Sequence, residues 1–310
     1  MSRQGFRAAI EEALALLETH GERPAARLPV AQTQPAVPLP SLLAQCREMI
    51  AAAAAAEPAP LRTVHHFACT GGTLICRCLA ALPNVRLLSE VDPLSTLEQG
   101  GKAGFFPSDL PSLARAGSRP PDRAVILRIF LAGLEALRED SRRAGLDLVL
   151  RDHAHSHFCV GEAIPDRPSL REILAPAAPL RSAVTVRHPF DSWLGLLEWG
   201  WPHFSPGTVE EYARRYHAFL DRHDGLAILR YEDFLADPEG QMQRLCELLE
   251  LGYDAGFRDA FAAIRLSGDS GRRGDRIGPR PRRAHAPELA EAALASVWFT
   301  SLLERLGYEM

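Results

Sequence analysis

The fold is decided by the stretch at residues 63–82, TVHHFACTGGTLICRCLAAL. Its pattern predicts a strand at Thr63–Ala68, then a loop, then a helix at Leu74–Leu82. The two glycines allow close approach to the backbone, the first N–H groups of the helix point outward, and two threonine hydroxyls add donors. This glycine loop is therefore predicted to bind an anion through Thr70, Gly71, Gly72 and Thr73. The alternative is a tight strand-to-helix turn capped by threonine.

The same alternation of short apolar runs and helical periods continues along the chain. It predicts an α/β fold, a parallel sheet flanked by helices. Further strands are expected at Val85–Ser89, Leu146–Arg151, Ala183–Arg187 and Ala227–Arg230. Further helices are expected at about Ala124–Ala144, Pro189–Trp199, Val209–His223, Pro238–Leu251 and Glu288–Leu306. Ligands of such sheets bind beyond the carboxyl ends of the strands, so residues that follow strands are the candidates for a site.

Residues 1–60 differ from the rest of the chain. An amphipathic helix is predicted at about Arg7–His20, followed by the Pro-rich linker ERPAARLPVAQTQPAVPLP and by a helix from Ser41 through the alanine run Ala51–Ala56. We interpret residues 1–60 as an α-helical extension for packing or for homo-oligomerisation. Residues 61–310 are then one α/β domain, a size that suits the chain length.

Composition excludes several classes of protein. The 35 basic and 39 acidic residues give a net charge of −4, which favours neither nucleic acid nor an anionic membrane as a partner. No apolar run approaches the ~20 residues of a membrane span. Residues 2–20 carry acids, unlike a signal peptide, and six scattered cysteines are typical of reduced thiols, so a cytoplasmic protein is expected. Lys102 is the only lysine and lies in no Walker-type loop.

Two charged residues follow other predicted strands. Glu90 comes directly after Val85–Ser89, while the adjacent Asp92-Pro93 can cap the next turn and leave Glu90 for a ligand. Arg187 ends the strand Ala183–Arg187, before a helix that begins at proline, where its guanidinium can bind a phosphate. The alternatives are a helix cap for Glu90 and a structural salt bridge for Arg187.

Three segments in order resemble the sulfotransferases that use 3′-phosphoadenosine 5′-phosphosulfate (PAPS), most of all the bacterial and Golgi-type members. They are CTGGT at residues 69–73, RHPFDSWLGL at 187–196, and LRYEDF at 229–234 with DPE at 237–239. The resemblance covers about Thr63 to Arg283. It implies a P-loop-like sulfotransferase fold, PAPS as co-substrate, and a small-molecule or carbohydrate acceptor.

Carried over residue by residue, the resemblance assigns Thr70, Gly71, Gly72 and Thr73 to the 5′-phosphosulfate and Arg187 to the 3′-phosphate. Two positions depart from the family pattern. Cys69 stands where the loop has a basic residue, and Gly195 stands where a serine follows the arginine by eight positions. Ser192, one helical turn before Gly195, is the expected substitute donor to the phosphate.

An arginine-rich loop near the C-terminal end of the domain, here called the late arginine loop, is expected to supply the positive charge that the glycine loop lacks at Cys69. Seven arginines and two aspartates lie between Ile264 and His285. The glycines of SGDSGRRGDRIGPRPRR predict a flexible loop, and it is similar to the loop that closes over the 3′-phosphate in the family. Arg272, Arg273 and Arg276 are the candidates. The alternative, a solvated or RNA-binding segment, is disfavoured because no aromatic residues are interleaved.

Histidines follow the third predicted strand in RDHAHSHF, residues 151–158. A continued strand would place His153, His155 and His157 on one side, but this spacing fits a tetrahedral metal site poorly, and no metal is expected. His153 or His155 instead suits a proton acceptor in a substrate pocket. His65 and His66 are expected in the core. Trp199 and Trp201, near His203, line an acceptor pocket or pack in the core.

The sequence therefore favours sulfuryl transfer from PAPS to an acceptor hydroxyl or amine, with Glu90 as the first candidate for the general base and His153 or His155 as the second. The sulfuryl group carries less charge than a γ-phosphate, so no Mg²⁺ is expected. Two alternatives stay open: a non-catalytic relative that binds a nucleotide or polyanion, and a kinase or nucleotide hydrolase on the same sheet, which the missing loop lysine disfavours.

Overall fold

The computed structural model of the chain describes residues 41–42, 44–45, 47, 59–95, 97, 109–268, 276–279 and 281–310. The predicted N-terminal helices, on which the expected homo-oligomerisation depends, fall almost wholly outside the described residues. The sheet and its helices belong to the compact unit that ends at Met310.

A five-stranded parallel sheet forms the centre of this unit. In chain order its strands are β1 (Leu61–His66), β2 (Val85–Val91), β3 (Asp147–Asp152), β5 (Leu180–Val186) and β7 (Ala227–Arg230). Their order across the sheet is β2-β3-β1-β5-β7, and every neighbouring pair is parallel. Two short parallel strands, β4 (Val160–Gly161) and β6 (His203–Phe204), pair separately. The predicted α/β fold is confirmed.

Helices cover both faces of the sheet. They are α1 (Gly72–Ala80), α2 (Leu110–Ala116), α3 (Arg123–Arg143), α4 (His155–Phe158), α5 (Leu170–Leu174), α6 (Pro189–Glu198), α7 (Val209–Arg222), α8 (Tyr231–Ala236), α9 (Pro238–Leu249), α10 (Phe257–Ala260), α11 (Pro287–Ala295) and α12 (Val297–Leu306). One core cluster joins the sheet to α6, α7 and α12 through Phe67, Phe190 and Tyr216. A second joins it to α1 and α9 through Ile75, Leu79 and Met242. Because helices cover both faces of the sheet, β1 is buried along its whole length, including its polar residues.

Two regions differ from the sequence expectations. The third strand ends at Asp152 and His155–Phe158 form a helix, so the three histidines do not share one side of a strand. The single helix expected at Glu288–Leu306 is two helices. Ser296 separates them because its extended backbone ends α11 while its hydroxyl accepts from the Phe299 amide and caps α12.

Among the described residues, none of the helices combines the length and the hydropathy that a bilayer-crossing segment needs.

Candidate active site at the carboxyl edge of the sheet

Two cavities meet at the glycine loop, residues 69–73, between β1 and α1. The first, the imidazole cavity, has a volume of about 200 Å³, and its walls include Glu90, Arg151, His153, His155, Trp201 and His203. The second, the arginine cavity, has a volume of about 450 Å³, and its walls include Arg77, Arg187, Arg276, Arg283, Tyr231 and Glu232. Gly71 and Thr73 line both. A group bound at the loop is therefore accessible from either cavity.

The glycine loop is held by its own backbone contacts and is open to a ligand. The hydroxyl of Thr70 is buried and donates to the Phe67 carbonyl at 2.7 Å. Gly71 has a φ of +85°, and no described side chain caps the helix that starts at Gly72. Helix α1 therefore presents an uncapped N-terminus at the junction of the two cavities, which is a favourable place for an anion.

The glycines are required by contacts as well as by backbone angles. A Cβ at position 71 would lie 2.2 Å from the ring of Tyr231, and one at position 72 would lie 2.5 Å from the ring of His66. Only glycine lets α1 start so close to these two rings.

Gly71→Ala is expected to lower the free energy of unfolding by about 2–4 kcal/mol, because the left-handed conformation and the overlap with Tyr231 both add cost. Gly145→Ala is the matched control. Gly145 has a φ of +69° with no atom within 4 Å of the added Cβ, so it carries only the conformational part, about 1–2 kcal/mol. Urea unfolding measures the free energy of unfolding of both variants. Equal losses in the two variants would contradict the close contact with Tyr231.

Glu90, Arg151 and His153 form one ionic network beside the loop. Arg151 Nη2 lies 2.7 Å from Glu90 Oε1, and His153 Nε2 lies 3.0 Å from Glu90 Oε2. Arg151 is buried and also donates to the hydroxyl of Thr73 at 3.0 Å. Its guanidinium therefore joins the carboxylate to the anion-binding loop.

Each carboxylate oxygen of Glu90 is occupied by a partner. Burial raises the pKa of Glu90, but the hydrogen bond from His153 and the charge of Arg151 outweigh it, and the pKa lies below its usual value. Glu90 is thus an anion at neutral pH. Because its carboxylate accepts from His153 Nε2, the neutral imidazole keeps its lone pair on Nδ1.

His155 and His203 form the opposite part of the imidazole cavity. His155 Nε2 lies 3.1 Å from His203 Nδ1, and the His155 ring packs edge-on against Trp201. Burial lowers the pKa of His155 to about 3. The ring is therefore neutral and weakly basic.

Arg187 lies in the arginine cavity at the end of β5. Its guanidinium lies over the ring of Tyr231, 5.1 Å from the centroid. Its Nε is buried and has no hydrogen-bond partner among the described residues. A buried guanidinium donor of this kind calls for an anionic acceptor.

Arg283 explains the departure at Gly195. A Cβ at position 195 would lie 3.2 Å from Arg283 Nη1 and 3.2 Å from the Cβ of Cys69. Arg283 thus takes the space where the family pattern has a serine side chain, and it lines the arginine cavity. It also forms an ion pair with Glu198.

The predicted site residues are largely brought together at the two cavities. Two hydroxyls are exceptions. The hydroxyl of Ser192 is fully buried and donates to the Ala68 carbonyl at 2.7 Å, so it holds the chain before the glycine loop instead of facing a ligand. The hydroxyl of Thr70 is likewise fully buried and donates to the Phe67 carbonyl, so it is not the expected donor to a bound anion. Arg276 lines the arginine cavity, while Arg272 and Arg273 lie outside the described residues. Asp92 binds Arg167 and accepts from the Leu94 amide, as its predicted capping role requires.

Sequence reasoning missed Arg151, Arg77, Arg283 and Tyr231 as residues of these cavities. Arg151 is the last residue of the predicted third strand, and its place at a carboxyl end was the signal that could have found it. Arg77, on α1, donates to the carbonyls of Phe261 and Ala262 just after α10, and no motif singles it out.

Residues 67–255 match the model of the sulfotransferase family. The chain belongs to this family. No curated protein sequence matches it. Among solved structures, it is similar to the sulfotransferase domain of the Synechococcus PCC 7002 olefin synthase, with 16% identity, a TM-score of 0.49 and coverage of 82% of this chain and 96% of that one.

Two further solved structures are similar to this chain. One is a sulfotransferase from Alicyclobacillus acidocaldarius, with 13% identity, a TM-score of 0.40 and coverage of 82% and 98%. The other is mouse sulfotransferase SULT7A1 complexed with PAP, with 10% identity, a TM-score of 0.41 and coverage of 83% and 93%. The recognition made from the three sequence segments is confirmed by the family match.

Proposed function

We propose that this sulfotransferase transfers a sulfuryl group from PAPS to a hydroxyl or amine of a small-molecule or carbohydrate acceptor. The observation that carries the proposal is the meeting of two chemically different cavities at one anion-binding loop. One cavity offers arginines, and the other offers a carboxylate–imidazole pair.

The arginine cavity suits a nucleotide that carries two phosphate groups. Its walls carry more basic than acidic side chains: the arginines include Arg187, Arg276 and Arg283, and the acids are Asp191 and Glu232. The orphaned Nε of Arg187 and the open N-terminus of α1 are two separate anion positions, as a 3′-phosphate and a 5′-phosphosulfate require. The residues present therefore fit PAPS.

Arg151 compensates for the missing basic residue at Cys69. Its buried guanidinium reaches the loop through the Thr73 hydroxyl, so its positive charge lies beside the place where the phosphosulfate would bind. We propose that this charge stabilises the negative charge that develops on the oxygen bridging phosphorus and sulfur. A fixed charge in a buried position needs little reorganisation during the reaction.

We propose that Glu90 and His153 act as one base. Glu90 keeps its charge because of Arg151, and it orients His153, whose Nδ1 then accepts the proton of the acceptor hydroxyl or amine. Glu90 as the direct proton acceptor is less suited, because both of its oxygens are engaged and its pKa is lowered. His155 is less suited because its pKa is about 3.

Calorimetry with adenosine 3′,5′-bisphosphate (PAP) and with ATP·Mg tests the donor assignment. We expect PAP to bind, since the arginine cavity offers two anion positions, and ATP·Mg to bind far more weakly. The reverse preference would favour the kinase or nucleotide hydrolase, and failure to bind PAP would overturn the proposal.

Release of labelled sulfate from PAPS tests catalysis without knowledge of the acceptor, because water can enter the imidazole cavity. Slow release that depends on Glu90 and His153 is expected. PAP binding with no sulfate release, to water or to a panel of acceptors, would indicate the non-catalytic relative that Cys69 also suggests.

A further inference from the structure

A second cluster of titratable groups lies outside both cavities. His65 on β1, Asp152 at the end of β3 and His223 directly after α7 converge between the sheet and that helix. The side chains of the two histidines are fully buried, and that of Asp152 is 6% exposed. From the sequence, His65 is expected in the core, and no metal ion is expected. The structure gives this histidine a more specific environment.

The three side chains offer one ligand atom each within a small space. His65 Nδ1 lies 2.8 Å and His223 Nε2 lies 3.8 Å from Asp152 Oδ2, and all three atoms lie within 4.8 Å of one another. Ligand atoms around tetrahedral Zn²⁺ lie about 3.3–3.6 Å apart. Binding an ion would therefore require the closer pair to open by about 0.5 Å and the more widely spaced ligand atoms to move together.

Hydrogen bonds on the far side of each imidazole set its orientation. His223 Nδ1 donates to the Phe219 carbonyl at 2.7 Å, so its lone pair is on Nε2 and faces Asp152. His65 Nε2 lies 2.8 Å from the hydroxyl of Thr63, which in turn contacts Ser182. Histidines that bind metals are oriented in this way by a carbonyl or another polar group on the second nitrogen.

One atom of the cluster is left without a hydrogen-bond partner. His223 Nε2 is buried and has none among the described residues. A buried lone pair that faces a carboxylate is unfavourable unless a positive group lies between them.

Among the described residues, no arginine or lysine pairs with the carboxylate of this cluster. Within the described part of the chain, the ion-pair contacts of Asp152 are the two imidazoles of His65 and His223. Burial lowers the pKa of both histidines to about 3 and raises the pKa of Asp152 to about 6. Arg171 is the charged group whose field reaches both rings.

We propose that His65 Nδ1, Asp152 Oδ2 and His223 Nε2 bind a divalent transition-metal ion, Zn²⁺ being the ion that best suits the site. Two imidazoles and a carboxylate are nitrogen and oxygen donors typical of zinc, and d¹⁰ Zn²⁺ imposes no geometry of its own. The ion would connect β1, the end of β3 and the residue that follows α7. Its role is structural, and it is independent of the proposed reaction.

Metal analysis of the full chain, purified without an immobilised nickel column, is the first test. We expect about one zinc ion per chain, removed by a chelator and restored by ZnSO₄ with a rise in melting temperature. Co²⁺ added to the chelated protein is expected to give the visible absorption of a low-symmetry nitrogen- and oxygen-bound site.

His223→Gln and Asp152→Asn are expected to lose zinc stoichiometry and the zinc-dependent rise in melting temperature. His217→Gln is the matched control. His217 lies on α7 but contacts Trp298 and Arg305 at the surface, so this variant keeps both properties. If a site variant fails to fold, the cobalt spectrum and the zinc-dependent melting of the wild type decide the question. A wild type that binds no zinc and whose melting temperature ZnSO₄ leaves unchanged would overturn the proposal.

Discussion

Arg187→Ala is expected to weaken the binding of PAP by about a hundredfold or more. Removing one partner of a buried, hydrogen-bonded charge pair costs about 2–5 kcal/mol, and about 1.4 kcal/mol corresponds to tenfold in affinity. The buried Nε of Arg187 and its position over Tyr231 place it in this class of contact. Calorimetry with PAP measures the loss.

Arg181→Ala is the matched control for this variant. Arg181 is at the other end of the same strand, is partly exposed, and pairs with Glu250. Exposed ion pairs contribute little, so its PAP affinity and melting temperature are expected to stay close to those of the wild type. Equal PAP affinity in Arg187→Ala and Arg181→Ala would remove Arg187 from the nucleotide site.

The fold was predictable because its signals are local. Short runs with buried apolar residues alternate with helical periods along the chain, and burial on both faces covers β1 along its whole length. The boundaries were less predictable where side chains decide them. Ser296 breaks the last helix by capping its successor, which the continuous apolar pattern does not reveal.

Which residues lie at the site was easier to predict from the sequence than which of them pair with one another. Glu90 and His153 follow predicted strands and Arg187 ends one, so the topology rule singles out all three. That rule does not show which side chains pair. Arg151 binds Glu90 and Thr73 from a different strand, and Ser192 turns toward Ala68, since both outcomes depend on packing between distant segments.

The contacts of Arg151 and Arg283 explain how positive charge comes close to the glycine loop, which has no basic residue of its own. The Cβ of Cys69 and Nη1 of Arg283 each lie 3.2 Å from the place that a Cβ at position 195 would take, so Arg283 lies close to the side chain of position 69. Arg151 reaches the loop from β3, and Arg283 reaches the neighbouring cavity from the late arginine loop. Two arginines from other segments therefore bring positive charge close to the loop without occupying it.

Glu90→Gln and His153→Gln are each expected to lower the rate of sulfate release from PAPS by about 10²–10⁴-fold, the usual contribution of a positioned base. PAP affinity is expected to be retained, because both residues line the imidazole cavity and not the arginine cavity. The double variant is expected to be scarcely slower than either single variant, since residues that act as one unit are not additive.

The charge of Glu90 does not change near neutral pH. The pKa of Glu90 is lowered, so its charge is present above that value and is lost only as the pH falls through it. Glu90 therefore stays charged near neutral pH, and its titration does not limit turnover there. Glu247→Gln, an exposed glutamate on α9, is the control and is expected to match the wild type. Full multiplicative losses in the double variant would show that Glu90 and His153 act separately, and a wild-type rate in His153→Gln would return the role of base to Glu90.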